Sequence, residues 1–110
     1  MLFDLSPVVW RFQASGTQVA VTLRSRLSVN TVEAAIDAAV SGIGLTRPLS
    51  YQIVGQVREG VLAIALEAFE PPPRPVHLLY NGQSRVPLKL RAFVDFVAPR
   101  LRNRLEEAAL

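Results

Sequence analysis

Gln18-Val19-Ala20-Val21-Thr22-Leu23-Arg24-Ser25-Arg26-Leu27-Ser28-Val29 runs straight into Asn30-Thr31-Val32-Glu33-Ala34-Ala35-Ile36-Asp37-Ala38-Ala39-Val40-Ser41-Gly42-Ile43-Gly44-Leu45-Thr46. In the first half Val19, Val21, Leu23, Leu27 and Val29 share one parity, while Thr22, Arg24, Arg26 and Ser28 take the other. A period of two belongs to a strand with one buried face, and Arg24-Ser25-Arg26 marks a bend within it. In the second half the period changes. Val32, Ala35, Ile36, Ala39 and Val40 follow the spacing of one helical stripe. Asn30 is a favoured N-cap residue, and Glu33 stands three positions on, where its carboxylate reaches back to the cap amide. Gly42 tolerates the left-handed geometry that ends helices, and Ile43 to Thr46 follows as a compact strand. Strand, helix and strand in succession predict an α/β layer arrangement with largely parallel pairing.

The flanking sequence extends the same alternation. Val8 to Phe12 reads as a short strand, and Ala14-Ser15-Gly16-Thr17 reads as a turn. Pro48 suits the first turn of a second helix, whose narrow apolar stripe is Leu49, Ile53 and Val57, weakened by Gly55. Arg58-Glu59-Gly60 is a turn, and Val61 to Leu66 is an apolar run expected to be a strand covered on both sides. Glu70-Pro71-Pro72-Pro73-Arg74-Pro75 is a stiff connector. Val76 to Tyr80 reads as another apolar strand, closed by Asn81-Gly82. The last helix is expected to start near Pro87 with the stripe Leu90, Phe93, Val94, Val97, Leu101 and Leu105, and Pro99 is expected to kink or split it.

Composition narrows the function classes. A chain of 110 residues, half of them hydrophobic, is one domain at most, and so oily a small unit keeps apolar faces open for a neighbour. No apolar run approaches the ~18–20 residues of a membrane span. The start, Met1 to Leu5, has no basic segment ahead of an apolar core, so a cytoplasmic protein is expected. The chain lacks cysteine and has a single histidine, which leaves no thiolate or zinc site, and no cofactor is expected. The formal net charge is +3, but the basic residues are dispersed from Arg11 to Arg104, the pattern of solvated surface rather than of a nucleic-acid face.

Catalytic signals are poor. His77 lies within an apolar run, as a core or edge histidine does. No Gly-x-Ser-x-Gly elbow or phosphate loop occurs. Gly42-Ile43-Gly44 lies between a helix and a strand, the reverse of a dinucleotide fingerprint, so Gly42 reads as a helix stop and Gly44 as a close-packed strand residue. One segment has a positive argument. At Val29-Asn30-Thr31-Val32 a strand delivers the chain to a helix N-terminus, where outward backbone amides and the helix dipole favour carboxylates and other anions. The ordinary alternative is that Asn30 only caps the helix.

Arg26-Leu27-Ser28-Val29-Asn30-Thr31-Val32-Glu33-Ala34-Ala35, followed by Ala38-Ala39-Val40-Ser41-Gly42-Ile43-Gly44-Leu45, resembles the second half of LysR-type effector domains. So do Gly60-Val61-Leu62, Pro75-Val76-His77-Leu78-Leu79-Tyr80 and Leu88-Lys89-Leu90-Arg91-Ala92-Phe93-Val94-Asp95-Phe96. The ordered set covers about residues 8 to 105. The resemblance implies a periplasmic-binding-protein-like α/β subdomain, with a mixed, mainly parallel sheet and flanking helices, incomplete relative to the family. Residues 1–70 would be part of the second effector-binding subdomain, 71–75 a proline-rich connector, and 76–110 the strand and helix that return to the first subdomain. It also implies contacts from Asn30, Thr31 and Val32 to a small organic effector, expected to be anionic, held between subdomains. Thr46 and Arg47, at a strand end, are further candidates, and Trp10 reads either as a cleft residue or as a packed core aromatic.

The chain lacks the family's amino-terminal helix-turn-helix, so DNA would be bound only through that missing part. The strand at Val76 and the last helix, without their usual sheet, are expected to pack back on the chain or on a second copy, which makes a homo-oligomer the expected state. Two functional classes compete: an effector-sensing fragment of a transcription regulator, and a short interaction module with no ligand of its own. An enzyme is not expected.

Overall fold

Ser15 and Gly16 both take positive φ, 52° and 78°, as a two-residue type I′ hairpin turn requires. They join β1 (Val8–Ala14) to β2 (Thr17–Leu23) in an antiparallel ladder that pairs Val8 with Leu23 and closes on Ala14 opposite Thr17. Alternation sorts the hairpin into two faces. Val8, Trp10, Phe12 and Ala14 stand beside Leu23, Val21, Val19 and Thr17 on the apolar one; Val9, Arg11 and Gln13 stand beside Thr22, Ala20 and Gln18 on the other. The computed structural model describes residues 8–82 and 85–110, so the segment from Met1 to Leu5 lies outside the described residues. The chain divides into two units, Met1–Pro72 and Pro73–Leu110.

In the first unit β2 stops at Leu23, short of the Val29 that alternation suggested. Ser25 ends the ladder by folding back on itself: its hydroxyl donates to Leu27 O at 2.9 Å. α1 (Val32–Val40) then begins one residue later than expected. Thr31, not Asn30, is the N-cap, with φ −134° and ψ 151°, and its Oγ1 accepts the Ala34 amide at 3.1 Å. Both residues are good caps, and Thr31 holds the position from which a hydroxyl reaches the third helical amide. Glu33 instead serves as a first-turn acid against the helix dipole.

α1 and α2 (Ser50–Arg58) end in the same way. Gly42, at φ 82°, donates to Ala39 O and Ile43 donates to Ala38 O. Gly60, at φ 77°, donates to Val57 O and Val61 donates to Gln56 O. These are paired Schellman bonds, in which a left-handed glycine turns the chain and satisfies two orphan carbonyls. α2 starts after Leu49, whose amide donates to Gln52 Oε1 at 2.8 Å, so Pro48 precedes the helix rather than opening it. Gly44 is not closely packed: a Cβ there would meet nothing within 4 Å.

Among the described residues β1 and β2 form the one sheet, and it is antiparallel. The expected strands at Ile43–Thr46, Val61–Leu66 and Val76–Tyr80 carry no ladder, so the mainly parallel sheet is not seen. The run after Val61 is broken at Leu66, which adopts φ 60°, and a 3-10 turn at Glu67–Phe69 follows, lying against β1. A strand is a property of two segments, and apolar runs without a neighbour to pair with cannot build a sheet.

In the second unit α3 (Leu88–Glu107) forms one uninterrupted helix of 20 residues. Pro99 removes one amide and crowds the preceding turn without splitting it. Arg100 braces the same turn: its Nη1 donates to Phe96 O at 2.7 Å, and its guanidinium lies 3.5 Å from the centre of the Phe96 ring. Leu90, Val94, Val97, Leu101 and Leu105 are half-buried, whereas Phe93 and Phe96 remain 56% and 57% exposed. His77 is exposed rather than part of a core.

Ile36, at 5% exposure, is the one buried residue among those described. A chain of this hydrophobicity with so small a core leaves apolar surface for something else to cover.

Candidate functional site

The segment between Arg26 and Arg47 carries the candidates Asn30, Thr31, Val32 and Thr46, of which Thr46 alone lines the cavity formed there. Arg26 Nη1 donates to Ile43 O at 3.2 Å, which ties the chain entering α1 to the chain leaving it. Leu27 and Val29 from the first stretch, Ala35, Ala38 and Ala39 from α1, and Gly44, Leu45 and Thr46 from the second line one cavity of about 70 Å³. Thr46 is therefore half-buried at the wall of a small space behind the helix. Organic ligand sites generally enclose about 300–1,000 Å³. This cavity is too small to hold an effector by itself.

Asn30 and Thr31 are exposed at the opposite end of α1 from its glycine stop, and Val32 is half-buried. Thr31 uses both of its acceptors on the helix: Oγ1 takes the Ala34 amide, and its carbonyl takes the Ala35 amide at 3.3 Å. The amides of Val32 and Glu33 are then the first-turn donors left without an intrahelical acceptor. They point along the positive end of the helix dipole. Asn30, relieved of the capping duty, has its side-chain amide open to solvent.

Arg47 reaches across the first unit to the hairpin. Its Nη2 donates to Arg11 O on β1 at 2.8 Å. Its guanidinium stands 6.0 Å from the ring centre of Trp10 and 5.3 Å from that of Phe12. The two rings themselves are 6.5 Å apart and inclined at 60°. Trp10 is half-buried in this cluster, so it works as a packed aromatic on the hairpin. The Arg47 contact spans 36 positions in sequence. Alternation and propensity carry no signal for such a contact.

A second, wider hollow of about 640 Å³ lies in the second unit, lined by Tyr80, Arg85, Val86, Arg91, Val94 and Asp95. From the sequence, Val94 reads only as part of the helix stripe, and none of these residues stands out as a binding candidate, because they are scattered over a loop and a helix. Among the described residues no cluster of histidine, aspartate or glutamate suits a metal ion, and no helix is long and apolar enough to cross a membrane.

Helix starts that gather free amides beside strand ends define a class of α/β ligand-binding domains. The family model for the LysR substrate binding domain matches residues 3–102, and the chain belongs to that family. It is 30% identical over 86 residues to the HTH-type transcriptional regulator PgrR of Escherichia coli K12, an alignment covering 78% of this chain and 29% of that protein. It is 25% identical over 94 residues to an HTH-type transcriptional repressor of Pseudomonas aeruginosa strain UCBPP-PA14, covering 86% and 30%. To the regulator PtxR of Pseudomonas aeruginosa PAO1 it is 24% identical over 90 residues, covering 82% and 29%. The chain thus spans less than a third of the length of the curated relatives it matches. No solved structure matches it. These relatives are transcription regulators, not enzymes.

Proposed function

We propose that this chain is the carboxy-terminal part of an effector-sensing domain in a LysR-type transcription regulator, working in the cytoplasm. A small organic anion would be held at the start of α1. The Val32 backbone amide and the Asn30 side chain donate to the anion, Thr31 holds the helix start in place, and Thr46 stands at the neighbouring chain end. DNA binding belongs to a helix-turn-helix part of the whole regulator, and self-association of the domain is part of the same reading.

One observation carries the ligand proposal. Thr31 takes over the cap, which leaves Asn30 and the two leading amides of α1 with nothing to do inside the chain. The family's sheet also has support. Arg26 reaches Ile43, and Leu27 and Val29 line the same cavity as Gly44, Leu45 and Thr46, as neighbouring parallel strands on either side of one helix would. In this reading those segments acquire their ladder when the rest of the domain is supplied.

The test is a thermal-shift titration with a panel of aromatic and aliphatic carboxylates, comparing the native chain with Asn30→Ala and Thr31→Ser. Asn30→Ala leaves the cap intact, so it should abolish the shift without lowering the melting temperature of the free chain, while Thr31→Ser keeps both. No shift with any carboxylate, or a shift indifferent to Asn30→Ala, would overturn the reading. The second reading, an interaction module without a ligand, is favoured by the extent of uncovered apolar surface, including Leu79 and Leu88 at 89% and 83% exposure. Self-association with no carboxylate shift would select it.

A further inference from the structure

The free edge of β2 has the composition that soluble proteins usually avoid. Thr17-Gln18-Val19-Ala20-Val21-Thr22-Leu23 contains no charge, no proline and no glycine, and all of it except Leu23 is exposed. Native edges are ordinarily blunted by lysine, proline, bulges or a covering element. The Glu67–Phe69 turn lies against β1. The hairpin turn also decides which backbone groups the bare edge offers. In a two-residue hairpin the closing pair, here Ala14 and Thr17, exchanges both ladder bonds, and the pattern then alternates. Thr17, Val19, Val21 and Leu23 therefore spend their amides and carbonyls on β1. Those of Gln18, Ala20 and Thr22 point away from it.

We infer that this edge pairs with the same edge of a second copy, antiparallel about a two-fold axis at Ala20, to give a four-stranded sheet in the order β1, β2, β2, β1. The inference deepens the self-association reading above and rests on it. The sequence is self-complementary in that one register. Ala20 meets Ala20, Gln18 meets Thr22, and each of these pairs has its backbone groups on the free edge, for about six new hydrogen bonds. Val19 meets Val21 on the apolar face, so four valines come together at the axis. Val19 and Val21 are 40% and 38% exposed, whereas Trp10 and Phe12 beside them are already half-covered. A slip by one residue would set valine parity against the Gln18 and Thr22 parity, which fixes the register. Charge raises no obstacle: the nearest like charges on the strands, Arg11 of each copy, stand three inter-strand steps or about 14 Å apart, beyond the Debye length of roughly 8 Å at physiological salt.

The experiment is sedimentation equilibrium on the whole chain and on Ala20→Pro, Ala20→Lys and Phe96→Ser, with circular dichroism as the check on folding. Ala20→Pro removes only an outward amide, and Ala20→Lys puts two cations on the axis while sparing the backbone. Both should weaken the dimer by roughly tenfold or more, and Phe96→Ser should leave it intact. Because the native chain has no cysteine, Ala20→Cys should give a disulfide-linked dimer under mild oxidation, since paired Cα atoms about 5.5 Å apart lie within disulfide reach. Arg11→Cys should not. A monomeric native chain would overturn both this inference and the self-association reading. A dimer that survives both Ala20 variants, or one that Phe96→Ser dissolves instead, would overturn the β2 pairing alone. So would an open-ended ladder of sizes, because this pairing uses up the edge.

Discussion

α1 and α3 are both amphipathic helices, yet they are specified in opposite ways. α1 has 9 residues and is written at both ends, by the Thr31 hydroxyl at its start and the Gly42 turn at its finish. It supplies Ile36, the one buried side chain among the described residues. α3 has 20 residues, begins after Pro87 with no side-chain cap and carries Pro99 in its interior. Its length and stripe define it, but two of its aromatic residues remain in solvent. The lesson is that end signals fix where a helix lies in sequence, whereas a stripe fixes only that some partner is wanted. Short helices with good caps are placed locally; long ones depend on what they pack against.

The comparison breaks most severely at Ile36. Truncation to alanine removes the core of the α1 neighbourhood, and buried Ile-to-Ala changes cost about 2–5 kcal/mol. Urea denaturation of Ile36→Ala should show loss of the cooperative transition, or a midpoint shift of that size. Leu90→Ala on the half-buried stripe of α3 should cost clearly less. Equal costs would mean that α3 has a core of its own. Next in size is Pro99→Ala. Proline in a helix interior is unfavourable by about 3 kcal/mol relative to alanine, so this substitution should raise helical ellipticity and stability by up to that amount. No gain would show that the helix has already relaxed around Pro99 at this turn. The smallest effect sharpens the cap: Thr31→Ala should cost about 1 kcal/mol, and Asn30→Ala almost nothing, in the same denaturation assay. The reverse ranking would return the cap to Asn30.

The sequence made the local features legible. The Ser15-Gly16 turn, the stripe of α1, the glycine stops and the α3 stripe all appear close to where period and turn chemistry put them. The error at the α1 cap was a single residue, because Asn30 and Thr31 are both competent and only backbone geometry chooses between them. The three missing strands were a different kind of failure. Val61 to Leu66 and Val76 to Tyr80 are as apolar as buried strands, but pairing needs a neighbour, and no window of one segment reveals whether its neighbour exists. The left-handed Leu66 and the turn after it have no compositional signature. Of the site, Thr31 opens α1 as its cap, one residue after the expected Asn30, whereas Thr46 lies in a segment that carries no ladder, and the anchorage of Arg47 on β1 is a long-range contact that spacing cannot foretell.

The two glycine stops also decide how each helix hands its chain on. At Gly42 and again at Gly60 a left-handed residue returns two amides to the last helical carbonyls, so backbone bonds alone turn the chain out of each helix and no side chain is committed to the exit.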